Sequence, residues 1–414
     1  MLMGDGAHEV RISVQGLALG MFVSRLDRPW LDSPFPLEGL ALESEEDLAR
    51  LQRICSHVWV DTQRGKAPEL RYMEFDQAAA SVPPDEFARL RKTRWAIKSD
   101  FADEMREAGK ANAELEAGIA EVMRDLQEGK RLDVQRLKHG VEAMIDSILR
   151  NPNAFIWLRE MKHRDAYAYQ HAMGCAVWAA SFGRHLGLER EELGVLAMGG
   201  LLSDVGKARV PPELLAKQTP LSPDEVALVR EHVRHGLEIL EDAPGVSPDT
   251  VEIVATHHER FDGSGYPHGL KGGEIPIFGR LVGIVDSYDA MTSLRPYANS
   301  RSPHEAVAEL YRNRGKLFQA ELVEQFIQNC GIYPIGTLVE LSNGSVGVIT
   351  EVHSLKRLRP RVMLLLGRDK APLPRFREVD LARIEQDEEG APLVIRRGLP
   401  SGMYGLDPVE LFLG

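Results

Sequence analysis

The sequence predicts a mainly α protein with a small strand-rich module at each end. Apolar residues recur at a period of about 3.6 residues over long stretches between about 85 and 330, while short alternating runs occur before 80 and after 333. A chain of 414 residues, 43% hydrophobic and 27% charged, is long enough for two or three domains with real cores.

Residues 1–80 form the first module. Arg11-Ile12-Ser13-Val14-Gln15 alternates polar and apolar side chains as a strand does, and His57-Val58-Trp59-Val60 repeats the pattern and ends at Asp61. Between them, Glu43 to Cys55 carries Leu48, Leu51 and Ile54 at the spacing of a short amphipathic helix. Ser81-Val82-Pro83-Pro84 marks the module's end.

Residues 81–150 read as a helical connector, with stripes Leu115, Ile119, Val122, Leu126 and Leu137, Val141, Ile145, Ile148. Such helices can pair two chains into a homodimer or pack on their own domain. Residues 151–332 form the main helical domain, broken by loops such as Val210-Pro211-Pro212 and Asp262-Gly263-Ser264-Gly265-Tyr266-Pro267. After Tyr333-Pro334, residues 333–414 return to strands, with Asn343-Gly344 as a hairpin turn between Val339, Leu341 and Val346, Val348.

Composition narrows the function. Cys55, Cys175 and Cys330 are far apart and odd in number, which suits reduced, buried thiols in the cytoplasm. The start MLMGDGAHEV lacks a basic, apolar leader, and no apolar run is long enough for a membrane span, so a cytoplasmic protein is expected. A net charge of -12 argues against duplex nucleic acid as partner. A small phosphorylated ligand stays compatible, since bound cations supply positive charge locally.

Six residues carry the chemistry: His171, Asp204, His232, His257, His258 and Asp286, each on or beside an apolar segment. Leu201-Leu202-Ser203-Asp204-Val205-Gly206 and Gly283-Ile284-Val285-Asp286 both set a carboxylate inside a nearly continuous apolar run. A carboxylate buried in this way must be paired, hydrogen-bonded or metal-bound. Imidazole with carboxylate suits Fe, Mn, Zn, Ni or Co, and the two oxygens of Asp204 make it the natural bridge between two ions. His257 and His258 diverge by about 100° on an ideal helix, so they share one ion only if it lies between them or the helix ends there.

With these residues in view, the stretch His171 to Ile332 resembles the HD-GYP family, a branch of the HD superfamily of metal-dependent phosphohydrolases. The matching pieces are Tyr169-Gln170-His171, Leu201 to Lys207, Glu231-His232-Val233-Arg234-His235-Gly236, His257 to Pro267, and Asp286 to Tyr297. The N-terminal stretch is similar, through Gly20-Met21-Phe22-Val23 and Asp27-Arg28-Pro29-Trp30-Leu31 with Pro34-Phe35-Pro36, to a domain of unknown function often joined to HD-GYP domains.

The resemblance implies an HD-type helical bundle and a two-metal cyclic di-GMP phosphodiesterase giving pGpG and, with further cleavage, GMP. It implies one ion on Asp204, His232, His257 and His258, and a second on His171, Asp204, Asp286 and the histidine of an HD pair. Here Ser203 stands in that histidine's place, which implies a weaker second site. Tyr167 stands where a third ion would need Glu, so two ions are the expected maximum. Asp204 and Lys207 are the catalytic residues implied. Lys207 and Arg295 are expected at the phosphates and Tyr266 in the pocket wall, while Ala298 lacks the basic group some relatives carry. His235 is expected not to ligate, and His163, His185, His268, His304 and His353 to lie at the surface. The alternative that Ser203 raises is a weakly active or inactive form that serves as a cyclic di-GMP receptor or binds signalling partner proteins. A third reading is a hydrolase of ordinary nucleotides.

Overall fold

The computed structural model describes residues 9–28, 30, 33–35, 39–61, 64–66, 93–161, 167–293, 301–353, 359–384, 386–400 and 402–406. They fall in two compact units, Met1–Lys92 and Thr93–Gly414.

In the first unit an antiparallel sheet runs in the order β1-β4-β2-β3, from Glu9–Ser13, His57–Asp61, Phe22–Leu26 and Leu40–Ala41. The first strand stops two residues short of the alternation read from the sequence. Ser13 Oγ accepts a hydrogen bond from the Gln15 amide and turns Val14–Gly16 into a 3-10 helix. The helix spans Glu45–Ile54, because the Ser44 side chain caps the Asp47 amide and Glu45, Glu46 and Asp47 lie at the positive end of its dipole. Strand Phe22–Leu26, which its own pattern did not announce, pairs with the central strand across a bulge.

The second unit is a helical bundle carrying a small sheet. Helices Phe101–Gln127 and Val134–Arg150 pack on each other and on the bundle. Leu115, Ile119 and Val122 on the first and Leu137, Val141, Ile145 and Ile148 on the second are buried, and Arg150 grips the buried Glu104 carboxylate through two bonds of 2.8 and 2.9 Å. Ile119, Val122 and Leu137 line an apolar cavity together with Ala172, Leu201 and Val205, so this pair forms a floor beneath three segments that carry candidate ligands.

The central helices Tyr167–His185, Arg190–Leu202 and Ile277–Thr292 are apolar on nearly all sides, as fully enclosed helices are. Trp178 anchors them, with its ring edge-on to Tyr288 at 5.1 Å and to Phe326 at 5.9 Å. No described helix is long and apolar enough to cross a membrane.

The C-terminal β module is a five-stranded antiparallel sheet in the order β8-β7-β6-β5-β9, from Pro372–Asp380, Arg361–Leu366, Val346–Glu351, Leu338–Leu341 and Ile395–Leu399. Asn343-Gly344 forms its first turn, with Gly344 at φ 86° and Asn343 Oδ1 accepting from the Ser345 amide. His304, expected at the surface, is half-buried: it stacks on Tyr333 and donates to the Ile332 carbonyl. His353 is half-buried as well, paired with Asp380 at 2.8 Å.

Trp178→Ala is expected to destabilise the second unit by about 3–5 kcal/mol, since it empties an enclosed aromatic site. Urea denaturation followed by far-ultraviolet circular dichroism measures the loss, and a change below about 1 kcal/mol would show that this cluster is not the bundle's anchor.

Candidate metal centre

Each of the six residues reaches the centre for a local structural reason. His171 lies on helix Tyr167–His185 and is buried. Helix Arg190–Leu202 ends at Ser203, and Asp204 opens the 3-10 turn Val205–Arg209. That turn lies against the start of helix His232–Glu241, where a Cβ on Gly206 would stand 1.9 Å from the His232 carbonyl oxygen, so only glycine allows the approach. Helix Pro248–Thr256 stops just before His257, and the chain turns through His257 and His258. Their divergence on a continuous helix therefore does not arise, and the two rings lie 4.0 Å apart. Asp286 is buried on helix Ile277–Thr292.

The six groups converge. His171 Nε2 lies 3.1 Å from Asp286 Oδ1 and 3.4 Å from Asp204 Oδ2. His232 Nε2 lies 3.3 Å from Asp204 Oδ1, and His258 Nδ1 lies 3.7 Å from Asp286 Oδ2. Asp204, His232, His257 and His258 each offer a ligand atom within 4.8 Å of the others, and His171, Cys175 and Asp286 form a second such group.

Hydrogen bonds fix the histidine tautomers. His232 Nδ1 contacts the Val229 carbonyl at 2.8 Å and His257 Nδ1 the Val254 carbonyl at 2.9 Å. A carbonyl only accepts, so Nδ1 carries the proton and each Nε2 presents a lone pair to the centre. Those Nε2 atoms and Asp204 Oδ1 are buried without a hydrogen-bond partner among the described residues. Such atoms are costly to strand, and a divalent cation among them satisfies all three, so the donor set fits a metal ion.

Electrostatics agree with that fit. Burial lowers the pKa of His232 and His258 and takes His257 down to about 4, leaving neutral imidazoles at pH 7. Burial pushes the Asp204 carboxyl up, but Lys207 and His171 outweigh it and hold the group well below the usual range. Asp286 is lowered against burial by its bond to His171 and the nearby His258. Burial opposes a charge on His171, yet the Cys175 sulfur and the carboxylates of Asp204, Asp286 and Asp289 raise it well above the ordinary value.

Lys207 donates to Asp204 Oδ2 at the edge of the site. Tyr266 lies over His258, ring centroids 4.6 Å apart, and burial raises its phenol. Arg295 and Ala298 lie outside the described residues. Ser203 is fully buried with its hydroxyl donating to the Gly200 carbonyl at 2.9 Å. His235 stays out of the cluster, beside Arg234.

Several supporting residues were missed by the sequence reading. Asp289 accepts from His171 Nδ1 at 2.8 Å and is held by Arg159 at 2.9 Å and Ser293 at 2.9 Å, which orients the imidazole. A Cβ on Gly174 would stand 1.8 Å from Asp289 Oδ1, so glycine leaves the room this pair needs. Asp289 follows Asp286 by three positions on one helix face, a legible signal. Glu259 accepts from the His268 and Leu270 amides at 2.8 and 3.0 Å and pins the loop that carries Tyr266. The Arg230 guanidinium covers the Tyr266 ring at 4.6 Å.

Comparison with known proteins gives three family matches: an HD domain over residues 154–322, a domain of unknown function (DUF3391) over 9–137, and a KOW domain associated with HD domains over 338–386. The chain is 35% identical over 382 residues to cyclic di-GMP phosphodiesterase PA4108 of Pseudomonas aeruginosa, covering 91% of this chain and 90% of the relative. It is 36% identical over 168 residues to a cyclic di-GMP phosphodiesterase of Thermotoga maritima, covering 40% of this chain and 46% of that one. Among solved structures, Bd1817, a HDG"Y"P protein from Bdellovibrio bacteriovorus, aligns at a TM-score of 0.46 and 16% identity over 77% of this chain and 98% of that one.

The lowered histidine pKa values give a pH dependence of defined sign. Between about pH 6.5 and 4 the unfolded chain takes up a proton at His257 that the folded chain refuses, so stability falls as pH falls through that window. Urea denaturation of chelator-treated protein at pH 6.5, 5.5 and 4.5 is expected to show this decline, and His257→Asn to flatten it. An unchanged slope in the variant would mean that His257 does not bear the burial cost.

Proposed function

Because the chain belongs to the HD-domain family of cyclic di-GMP phosphodiesterases that carry an N-terminal DUF3391 module, we propose that it hydrolyses cyclic di-GMP to pGpG, and with further cleavage to GMP, at the centre built from His171, Asp204, His232, His257, His258 and Asp286. The observation that carries this reading is the convergence of those six groups with the buried, unpartnered acceptor atoms of Asp204, His232 and His257.

In this reading Asp204, His232, His257 and His258 hold one divalent transition ion, and His171, Asp204 and Asp286 hold a second. The ions supply Lewis acidity, which activates water and offsets phosphate charge. The protein's own groups do the rest. Lys207, at the rim on Asp204, donates to a phosphate oxygen, and Arg295 provides a second phosphate contact by the family resemblance. Tyr266 forms part of the pocket wall, and the exposed Arg230 on its ring adds a cation there. Asp289 keeps Nε2 of His171 turned inward. Three buried cysteines with no disulfide among them suit a cytoplasmic setting.

A receptor without turnover is the second reading, favoured by one observation: a neutral serine hydroxyl, bonded to the Gly200 carbonyl, precedes Asp204 and is a poor ligand for such an ion.

Purified protein supplied with Mn or Fe is expected to convert cyclic di-GMP to pGpG, with chelator stopping the reaction and Lys207→Ala lowering kcat by about 100-fold. Product analysis by ion-exchange chromatography and binding by calorimetry decide it. Binding with no product in the wild type, and product in Ser203→His, would establish the receptor reading, while neither binding nor product would overturn both.

A further inference from the structure

We propose that Arg260 is a positioning residue of the metal centre, which holds the peptide joining His257 to His258 and so sets how the His258 imidazole is aimed. This rests on the reading above in which Asp204, His232, His257 and His258 hold one ion, and it concerns what fixes the last of those ligands.

The need for such a support appears when the three imidazoles are compared. His232 and His257 each donate from Nδ1 to a backbone carbonyl, at 2.8 and 2.9 Å, and those bonds orient their rings. His258 has no bond of that kind among the described residues. Its Nδ1 lies 3.7 Å from Asp286 Oδ2, and its ring rests against Tyr266. The direction of its side chain therefore depends on the backbone that carries it.

Arg260 holds that backbone. Its Nη1 donates to the His257 carbonyl at 3.1 Å and to the Glu259 carbonyl at 2.9 Å. The His257 carbonyl belongs to the planar peptide unit between the two ligands, so fixing it fixes the backbone torsions on either side, of His257 and of His258. The next carbonyl, that of His258, accepts from the Tyr266 amide at 3.3 Å. The same guanidinium reaches Ser287 Oγ at 3.5 Å, one position past Asp286 on helix Ile277–Thr292. A Cβ on Gly283 of that helix would stand 2.8 Å from the His257 oxygen and 3.7 Å from Arg260 Nη1, so the Asp286 helix passes directly beside this bond. The Phe318 ring flanks the guanidinium at 5.3 Å.

The alternative is an ordinary helix cap, in which an arginine bonds carbonyls left open by the last turn. Helix Pro248–Thr256 has other partners for that purpose. Ile253, Val254 and Thr256 accept from the His257 amide, the His257 ring and the Glu259 amide, each at 2.9 Å. Arg260 instead takes two carbonyls beyond the helix end, neither of which accepts from a backbone amide among the described residues. Its planar fork of donors suits that task better than a lysine ammonium does.

The test is a double-mutant cycle on Co(II) affinity, using the full chain freed of metal and the visible bands of the bound ion as readout. Arg260→Ala is expected to weaken the tightest equivalent by about tenfold or more and to alter its bands. Arg359→Gln, which removes a guanidinium from the Leu381 carbonyl in the C-terminal module, is expected to change neither. His258→Ala weakens the same equivalent, and adding Arg260→Ala to it brings no further loss, because the arginine acts through that ring. Circular dichroism confirms folding, and Arg260→Lys takes the place of Arg260→Ala in the cycle should the latter fail to fold.

Unchanged affinity and bands in the Arg260 variant, or losses that add in the double variant, would overturn the role of Arg260 and leave the metal centre standing. Wild-type protein that binds no Co(II) would remove the centre itself, and this assignment with it.

Discussion

Burial of negative charge is the constraint around which the bundle is organised. Asp204, Asp286 and Asp289 are all enclosed among apolar helices, where an uncompensated carboxylate costs several kcal/mol. Asp289 is matched by Arg159, and Asp204 by Lys207. Asp286 has only the imidazoles of His171 and His258 beside it, with no arginine or lysine in its ion pairs among the described residues. Apart from His171, whose pKa is raised, Asp286 has only neutral imidazoles beside it at the point where the His232 and His257 lone pairs converge. A cation at that point completes the set of buried groups as well as enabling chemistry, which ties the bundle's folding to its site.

Bringing these charges together requires helices to approach more closely than ordinary side chains permit. Gly174 leaves room for Asp289 and Arg159 beside the His171 helix, and Gly206 lets the Asp204 turn rest on the His232 backbone. Helix ends are equally important. The stop after Thr256 releases His257 and His258 together, and the stop after Leu202 turns Asp204 inward. Backbone geometry thus does the positioning, while Asp289 and the carbonyls of Val229 and Val254 set which nitrogen each ring presents.

Much of this was legible in the amino-acid sequence, for reasons that also explain what was not. Helical stripes and the Asn343-Gly344 turn are local signals, and a carboxylate inside an apolar run such as the one around Asp204 is visible without any knowledge of neighbours. The Arg159–Asp289 pair is 130 residues apart in sequence, so nothing local links them. Cys175 read as a small buried hydrophobe; burial was legible, but the polar character of its surroundings depends on Asp286 from a distant helix. Strand Phe22–Leu26 escaped because its inward residues are irregular, and it is held by pairing with His57–Asp61 across a bulge. Local pattern reveals which residues are enclosed; only the packing decides what each of them faces.

The acidic composition and an anionic ligand can be reconciled on the same terms. A net charge of -12 spread over the surface acts weakly beyond the Debye length of about 8 Å at physiological salt. A small ligand responds to the charges lining the place where it binds. Around this centre the exposed Arg230 lies on Tyr266 and Lys207 stands at the rim, both close to the predicted ions. A dinucleotide bound there would meet those two cations together with any metal ion the centre holds. The composition that disfavours a duplex is therefore compatible with a compact diphosphate ligand, because the selection depends on ligand size relative to the screening length.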